Sequence, residues 1–408
     1  MSGIGPFGPG NPFEGMPFFA DLARMLSQQG PVAWDAARQM AMSIATGGTT
    51  EDNIDPVERI RLEQLARVAD LHVGSTLGLT TSGSGSGISV VPVTRGQWVQ
   101  RSVDAYRPLF EGLASSLAPG AAPAAPTPDP DDDPDAAMGA WLGGMMAALG
   151  PMMLGVTAGS MLGHLAERSL GQYDLPVPRP ASDELMVVLR NVDELGEAWS
   201  LDADELRLWV CLHEIAHHTV LRVPHVRARL DGLLRDYVSS FRPDTGGLED
   251  RLGGFDPTNP SGLADLQSML GDPEVILGAI RSPEQEALLP RLEAVVAVIA
   301  GVVDWTMDRA GERIMSSYGR ITEASRRRRV DAAAEDRFVG KLLGLELTQE
   351  QYDRGAAFVE GVVERAGTDG IDLLWRSDAH LPTPAEVDAP GLWLARLELH
   401  EPPTDDTP

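Results

Sequence analysis

The chain has 408 residues, enough at roughly 100 to 200 per domain for two domains or one large one. Its 33 basic and 60 acidic residues leave a formal charge of −27, a repulsive field that excludes a general nucleic-acid binder and a protein held on anionic lipid by charge. A single cysteine, Cys211, excludes an internal disulfide framework and any Cys-cluster metal site, and fits a reducing, cytoplasmic setting.

The Gly- and Pro-rich N-terminus reads as a loose arm and not as a secretory signal. Phe19, Leu22, Met25 and Leu26 recur at helical spacing up to Gly30-Pro31, and a second amphipathic helix is predicted from Trp34 to about Ala45. Asp55-Pro56 opens a third, which Ile60, Leu62, Leu65, Val68 and Ala69 carry to about Leu71. Thr80 to Gly87 has turn chemistry and leads to a short strand over Ile88 to Val93. The tract lacks the lysine that a phosphate-binding loop needs.

Ala118 to Asp135 is almost entirely Ala, Pro and Asp and cannot bury enough apolar area to offset its ordering entropy, so a disordered linker is expected there. Ala136 to Gly163 carries no charge and spaces Gly155, Gly159 and Gly163 four apart. It is long enough to span a membrane, but its glycine content and lack of basic flanks favour two buried helices divided at Gly150-Pro151. These boundaries give a helical region over 1–117, the linker over 118–135, a second helical domain over 136–400 and a frayed tail over 401–408. No membrane span and no nucleic-acid partner is expected.

Leu185 to Leu189 reads as a second short strand. After it, Asp202 with Glu205 three residues on has the pattern of a reciprocal capping box, which starts a helix over Ala203 to Leu221. That helix contains His213-Glu214-Ile215-Ala216-His217, an H-E-x-x-H sequence. Residues four apart share one helical face, so His213 and His217 can turn their imidazoles to one Zn²⁺, about one ion per chain. Glu214, about 100° round the axis, can hold the attacking water and take its proton. His218 reads as a residue supporting the ligands or lying on the surface, and Cys211 as a packed thiol.

A third ligand is less plain. Val220 and Val223 stand where a longer motif would need glycine and a third histidine, which leaves a carboxylate from a later helix. Pro290 to Arg309 is the candidate helix, with Glu293, Ala297, Ala300, Asp304 and Asp308 on one stripe, and Asp304 is the best-placed carboxylate. Arg326 to Arg329 reads as a run paired with acidic surface. Trp375, Trp393 and the turn from Pro382 to Pro390 read as a C-terminal clasp over the helical body.

Several stretches together resemble a known family: NPFEGMPFFADLARML, GSMLGHLAERSLGQYDLPVPRP, LRLWVCLHEIAHHTVLRVPHVRARL, SYGRITEASRRRRVD and LPTPAEVDAPGLWLARLEL. The chain is similar to the zincin-like hydrolases of actinobacteria, described as zinc-dependent metalloproteases. One branch of them is named for association with biosynthesis of a deazaflavin coenzyme. The resemblance implies a mainly α, zincin-like helical domain with few short strands, His213 and His217 as zinc ligands, Glu214 as the catalytic glutamate, and no established substrate. The family's downstream helix usually carries Glu-Gly-x-x-Asp; here the matching residues run from Ala300 to Asp304, so alanine replaces the glutamate.

Two functions are therefore expected. One is a zinc-dependent hydrolase acting on a peptide or small molecule, with Asp304, or failing it Glu293 or Asp308, completing the site. The alternative is a degenerate, catalytically inactive scaffold that recognises a protein partner.

Overall fold

The computed structural model describes residues 30–85, 87–117, 134–242, 282–330 and 334–400. The expected helix before Gly30, the linker up to residue 133 and the tail from 401 lie outside the described residues.

The fold is mainly α. Two N-terminal helices, α1 (Trp34–Thr46) and α2 (Pro56–Leu77), each end on a glycine in the left-handed region, Gly47 and Gly78. The Asp55 side chain accepts from the Val57 amide at the start of α2, as Asp-Pro at a helix start predicts, and the helix runs two turns past the expected end. Strand β1 (Ser89–Val93) follows, then α3 (Arg95–Leu117), α4 (Pro134–Arg168) and β2 (Glu184–Val188). The two strands pair in parallel from Ser89↔Glu184 to Val93↔Val188, with α3 and α4 forming the crossover that parallel pairing needs. Pro92, which cannot donate, is tolerated because β1 has only one partner. Beside β2 the chain makes an antiparallel bridge at Gly171↔Val187, and the Val188 amide donates to the Leu170 carbonyl.

The Met-rich run is a single helix. α4 continues through Pro151, where two helices divided at Gly150-Pro151 are expected. Gly155, Gly159 and Gly163 lie against α1 so closely that a Cβ on Gly159 would stand 2.4 Å from the Ala37 carbonyl oxygen. Burying this seam outweighs the local cost of the proline, and the Pro151 carbonyl accepts from the Ala33 amide. No helix among the described residues is long and apolar enough to cross a membrane.

Next come α5 (Leu189–Trp199), α6 (Ala203–Arg222) and α7 (Pro224–Ser239). α6 is the centre of the fold: every residue from Leu206 to Leu221 is buried, which requires packing on all its faces. It packs against α2, α5, α7, β2 and α8 (Pro283–Ile314). α8 begins seven residues before the expected Pro290. Ser282 and Gln285 form a full capping box there, a sequence signal that the proline obscures. The remaining helices are α9 (Tyr318–Val330), α10 (Ala334–Leu343) and α11 (Gln349–Ala366), then 3₁₀ turns at Thr368–Trp375 and Asp378–His380, and α12 (Pro384–Val387) and α13 (Pro390–His400). α8 and α11 cross where Gly301 meets Gly355; a Cβ on Gly355 would lie 2.0 Å from the Ala297 carbonyl oxygen. In the C-terminal clasp Trp393 is fully buried against Phe358 at 5.3 Å and donates from Nε1 to the His380 carbonyl, while Trp375 is half-buried.

Candidate active site

The capping box expected at the start of α6 forms only by half. The Asp202 carboxylate accepts from the Glu205 amide at 2.9 Å, but the Glu205 carboxylate does not reach back. It accepts instead from the amides of Ser316 and Ser317, at 3.0 and 2.8 Å, and from both hydroxyls, in the turn that precedes α9. Four donors, two of them amides at a helix start, outcompete one local amide. They also fix the register of α6 against α9.

Two turns further on, His213 and His217 stand on one face with ring centroids 4.3 Å apart, inside a bracket of aromatic rings. Trp209 stacks on His213 at 5.4 Å and Tyr173 stacks on His217 at 6.0 Å. Both histidines line a cavity of about 340 Å³, whose wall is apolar at Leu165, Leu170, Leu345 and Leu347 and charged at Arg168, Asp174, Arg328 and Arg329.

His217 Nδ1 lies 3.1 Å from the His213 carbonyl oxygen. A carbonyl only accepts, so the proton of the neutral ring is on Nδ1 and Nε2 carries a bare lone pair. Burial, and next the neighbouring His213, hold His217 well below the usual histidine range, so the ring is neutral. His213 Nδ1 faces the Glu214 carboxyl at 3.1 Å and has its Nε2 bare when Glu214 is ionised. Burial and then the Arg329 charge bring His213 down to about 4. Two neutral imidazoles, each anchored at Nδ1, suit the donor chemistry of zinc.

Glu214 is fully buried and does not line the cavity. Its Oε2 accepts from the amides of Gln172 and Tyr173, at 2.8 and 3.0 Å, on the segment that bridges to β2. Gly171 completes this cradle: a Cβ there would stand 2.3 Å from the Glu214 Cδ. Burial first, then the Asp174 charge, raise Glu214, while the two amides and Arg179 pull it down; the balance leaves it pushed up to about 8. A carboxyl in that range takes up and returns a proton near neutral pH.

Asp304 is close enough for its charge to act on His213 and His217, but it is turned to another partner. Its carboxylate faces the Arg329 guanidinium, both oxygens at 3.4 Å, and does not line the cavity. Asp308 accepts from the Tyr318 hydroxyl at 2.5 Å, and Glu293 lies near Arg354 and Gln351. Among the described residues no three His, Cys, Asp or Glu side chains are grouped to hold a metal ion. The residues present thus fit zinc at two histidines, and the third protein donor is not drawn in.

Several neighbours were not legible in the sequence. Asp174 accepts from the Leu170 amide at 2.7 Å and meets Arg328 at 3.6 Å. Arg329, part of the arginine run expected on the acidic surface, lines the cavity with Arg328, and its guanidinium lies 4.1 Å over the Tyr352 ring. Its position three turns into α9 points it inward, which a bare charge run does not disclose. His218 is buried, with Nδ1 3.2 Å from the Tyr173 hydroxyl and Nε2 4.0 Å from Asp183. Cys211 is the buried thiol expected.

The fold has a counterpart among solved structures. A candidate hydrolase of novel fold from Chloroflexus aurantiacus superposes with a TM-score of 0.63 over 91% of this chain and 100% of that one, at 22% sequence identity. A search of curated proteins finds no match. The sequence model of the zincin-like metallopeptidases matches residues 32–394. That match runs over nearly the whole chain and includes the H-E-x-x-H helix with its cavity, and the protein therefore belongs to the zincin-like metallopeptidase family.

Proposed function

We propose that the protein is a zinc-dependent hydrolase of peptide-like bonds, with His213 and His217 holding the ion and Glu214 serving as general base. The observation that carries this reading is the pair of cavity-facing imidazoles anchored at Nδ1, with Nε2 bare on His217 and bare on His213 once the adjoining buried Glu214 carboxyl, pushed up to about 8, is ionised. Zinc, when bound, supplies Lewis acidity toward a carbonyl oxygen and toward water. The chain's own residues do the rest. Glu214 takes a proton from the attacking water and delivers it to the leaving amine, for which its carboxyl must turn from the Gln172 and Tyr173 amides toward the cavity. Trp209 and Tyr173 hold the two imidazoles against rotation. A cavity of about 340 Å³, its wall partly apolar and partly charged, has room for one or two residues of a peptide.

The test is metal content and turnover of the full chain purified without chelator. About one zinc per chain is expected, lost in His213→Ala. Glu214→Gln should keep the metal and lose hydrolysis of a peptide panel by about 10² to 10⁴. Absence of zinc together with an unchanged His213→Ala variant would sink the reading.

The second reading, an inactive scaffold, is favoured by the lack of a third donor grouped with the histidines among the described residues and by Ala300 standing where the family pattern has glutamate. It expects weak or no zinc binding and no turnover in any variant.

A further inference from the structure

Arg329 is the unusual member of the cavity wall. It sits in α9, yet three other elements surround its guanidinium: Asp304 of α8 at 3.4 Å through both terminal nitrogens, Tyr352 of α11 at 4.1 Å beneath the plane, and the cavity shared with His213 and His217 of α6. Arg329 and Asp304 are both half-buried, and a cation partly withdrawn from water is steadied by a carboxylate that neutralises it. The geometry is fork to fork, but both contacts are longer than the roughly 2.7 to 2.9 Å of a tight charge-assisted pair. A carboxylate held this loosely is open to a smaller and more highly charged competitor. The positive charge on the wall also opposes any divalent ion brought to the two imidazoles. Asp174, which does line the cavity, is engaged by the Leu170 amide and by Arg328.

We propose that Arg329 is the resident cation of this site and competes with the metal ion for the Asp304 carboxylate, so that the arginine sets how tightly the chain holds zinc. This rests on the reading that His213 and His217 are ligands. On this view zinc loading requires the guanidinium to leave Asp304, which then turns into the site as the third donor. In the metal-free chain the Asp304 carboxylate is thereby neutralised by the chain's own side chain.

The experiment measures zinc affinity of the full chain by competition with a chromophoric chelator, which needs no substrate. Arg329→Met should bind zinc about tenfold to a hundredfold more tightly than the unsubstituted chain. Arg329→Lys keeps the charge and should stay within a few-fold of it. Most of the gain must run through Asp304: in an Asp304→Asn background, Arg329→Met should gain only the few-fold that removing a repulsive charge gives. An equal gain with and without Asp304 would mean that only a repulsive charge had been removed, and would overturn the competition. So would a gain that survives Asp304→Asn but vanishes with Asp174→Asn, since that moves the third donor to Asp174. Should Arg329→Met not fold, Arg329→Gln carries the same comparison.

His213→Ala separates this inference from the functional reading beneath it. If the unsubstituted chain already binds zinc as tightly as Arg329→Met, and His213→Ala abolishes binding in both, the metal site stands and the competition falls. If zinc binding in Arg329→Met is indifferent to His213, both fall.

Discussion

Gly171 shows what a single methyl group decides here. Its backbone lies so close to Glu214 that an added Cβ would stand 2.3 Å from Cδ and 2.6 Å from Oε1, far inside van der Waals contact. The obstacle is a fully buried side chain that two amides hold in place, so it cannot swing aside without losing those bonds. Gly171→Ala is expected to cost about 1 to 3 kcal/mol of stability, as overpacking does. It should also cripple any Glu214-dependent turnover while leaving His213 and His217 able to take up zinc. Thermal unfolding and zinc stoichiometry of the variant check this, and an unchanged unfolding temperature would mean that the cradle is looser than described. At this scale the sequence discloses His213, Glu214 and His217, because their chemistry lies in local spacing. It does not disclose that Gln172 and Tyr173 hold Glu214, since those partners stand 42 and 41 positions away and meet it only when the segment before β2 folds against α6. Arg329 and Asp304 are likewise 25 positions apart, and neither side of that pair marks the other.

At the scale of the element, the seam of α4 against α1 sets two effects of glycine replacement against each other. Alanine in a helix interior gains about 0.5 to 1 kcal/mol over glycine. At Gly159 the new Cβ would stand 2.4 Å from the Ala37 carbonyl oxygen and 2.9 Å from the Ala37 Cα, both backbone atoms that cannot rotate away. The steric cost, about 1 to 3 kcal/mol, therefore wins, and Gly159→Ala is expected to be net destabilising. Gly232 in α7 is the control: nothing lies within 4 Å of its added Cβ, so Gly232→Ala should stabilise by roughly 0.5 to 1 kcal/mol. Denaturant titration of the two variants gives opposite shifts of the midpoint, and the same sign for both would refute the seam. Glycines four apart do announce close helix approach in the sequence, and the helices starting at Trp34, Pro56 and Ala203 are legible from capping and periodicity. What sequence reasoning gets wrong is the proline. Pro151 and Pro290 both lie inside continuous helices, because long-range packing outweighs a local breaker, and that packing has no local signature.

Over the whole molecule, α6 carries the site and is fastened at both ends by carboxylate contacts to residues outside it: its own Glu205 reaches Ser316 and Ser317, and its Arg222 meets Asp183. At its N-terminus the hydroxyls of Ser317 and Ser316, with their amides, hold Glu205 down at about 2, against a small opposing effect of burial. Near its C-terminus, burial pushes Asp183 up, but the Gly83 amide, the hydroxyl and amide of Ser84 and the Arg222 guanidinium bring it down to about 2; His218 stands 4.0 Å away. Both groups have folded values below their ordinary ones of 4.5 and 3.8, so each contributes stability that is fully present above that ordinary value. The contribution fades as pH falls through the interval toward about 2, where the folded carboxyls themselves take up protons. Glu205→Gln and Asp183→Asn should therefore lower the unfolding temperature near neutral pH and make little difference at about 2. The fasteners share no partner, so the double variant should show the sum of the two single effects. Thermal unfolding of the four chains across that pH range checks the claim. A difference between unsubstituted chain and double variant that stays constant down to the lowest pH would show that neither carboxylate is held down, and that α6 is positioned by its apolar packing alone.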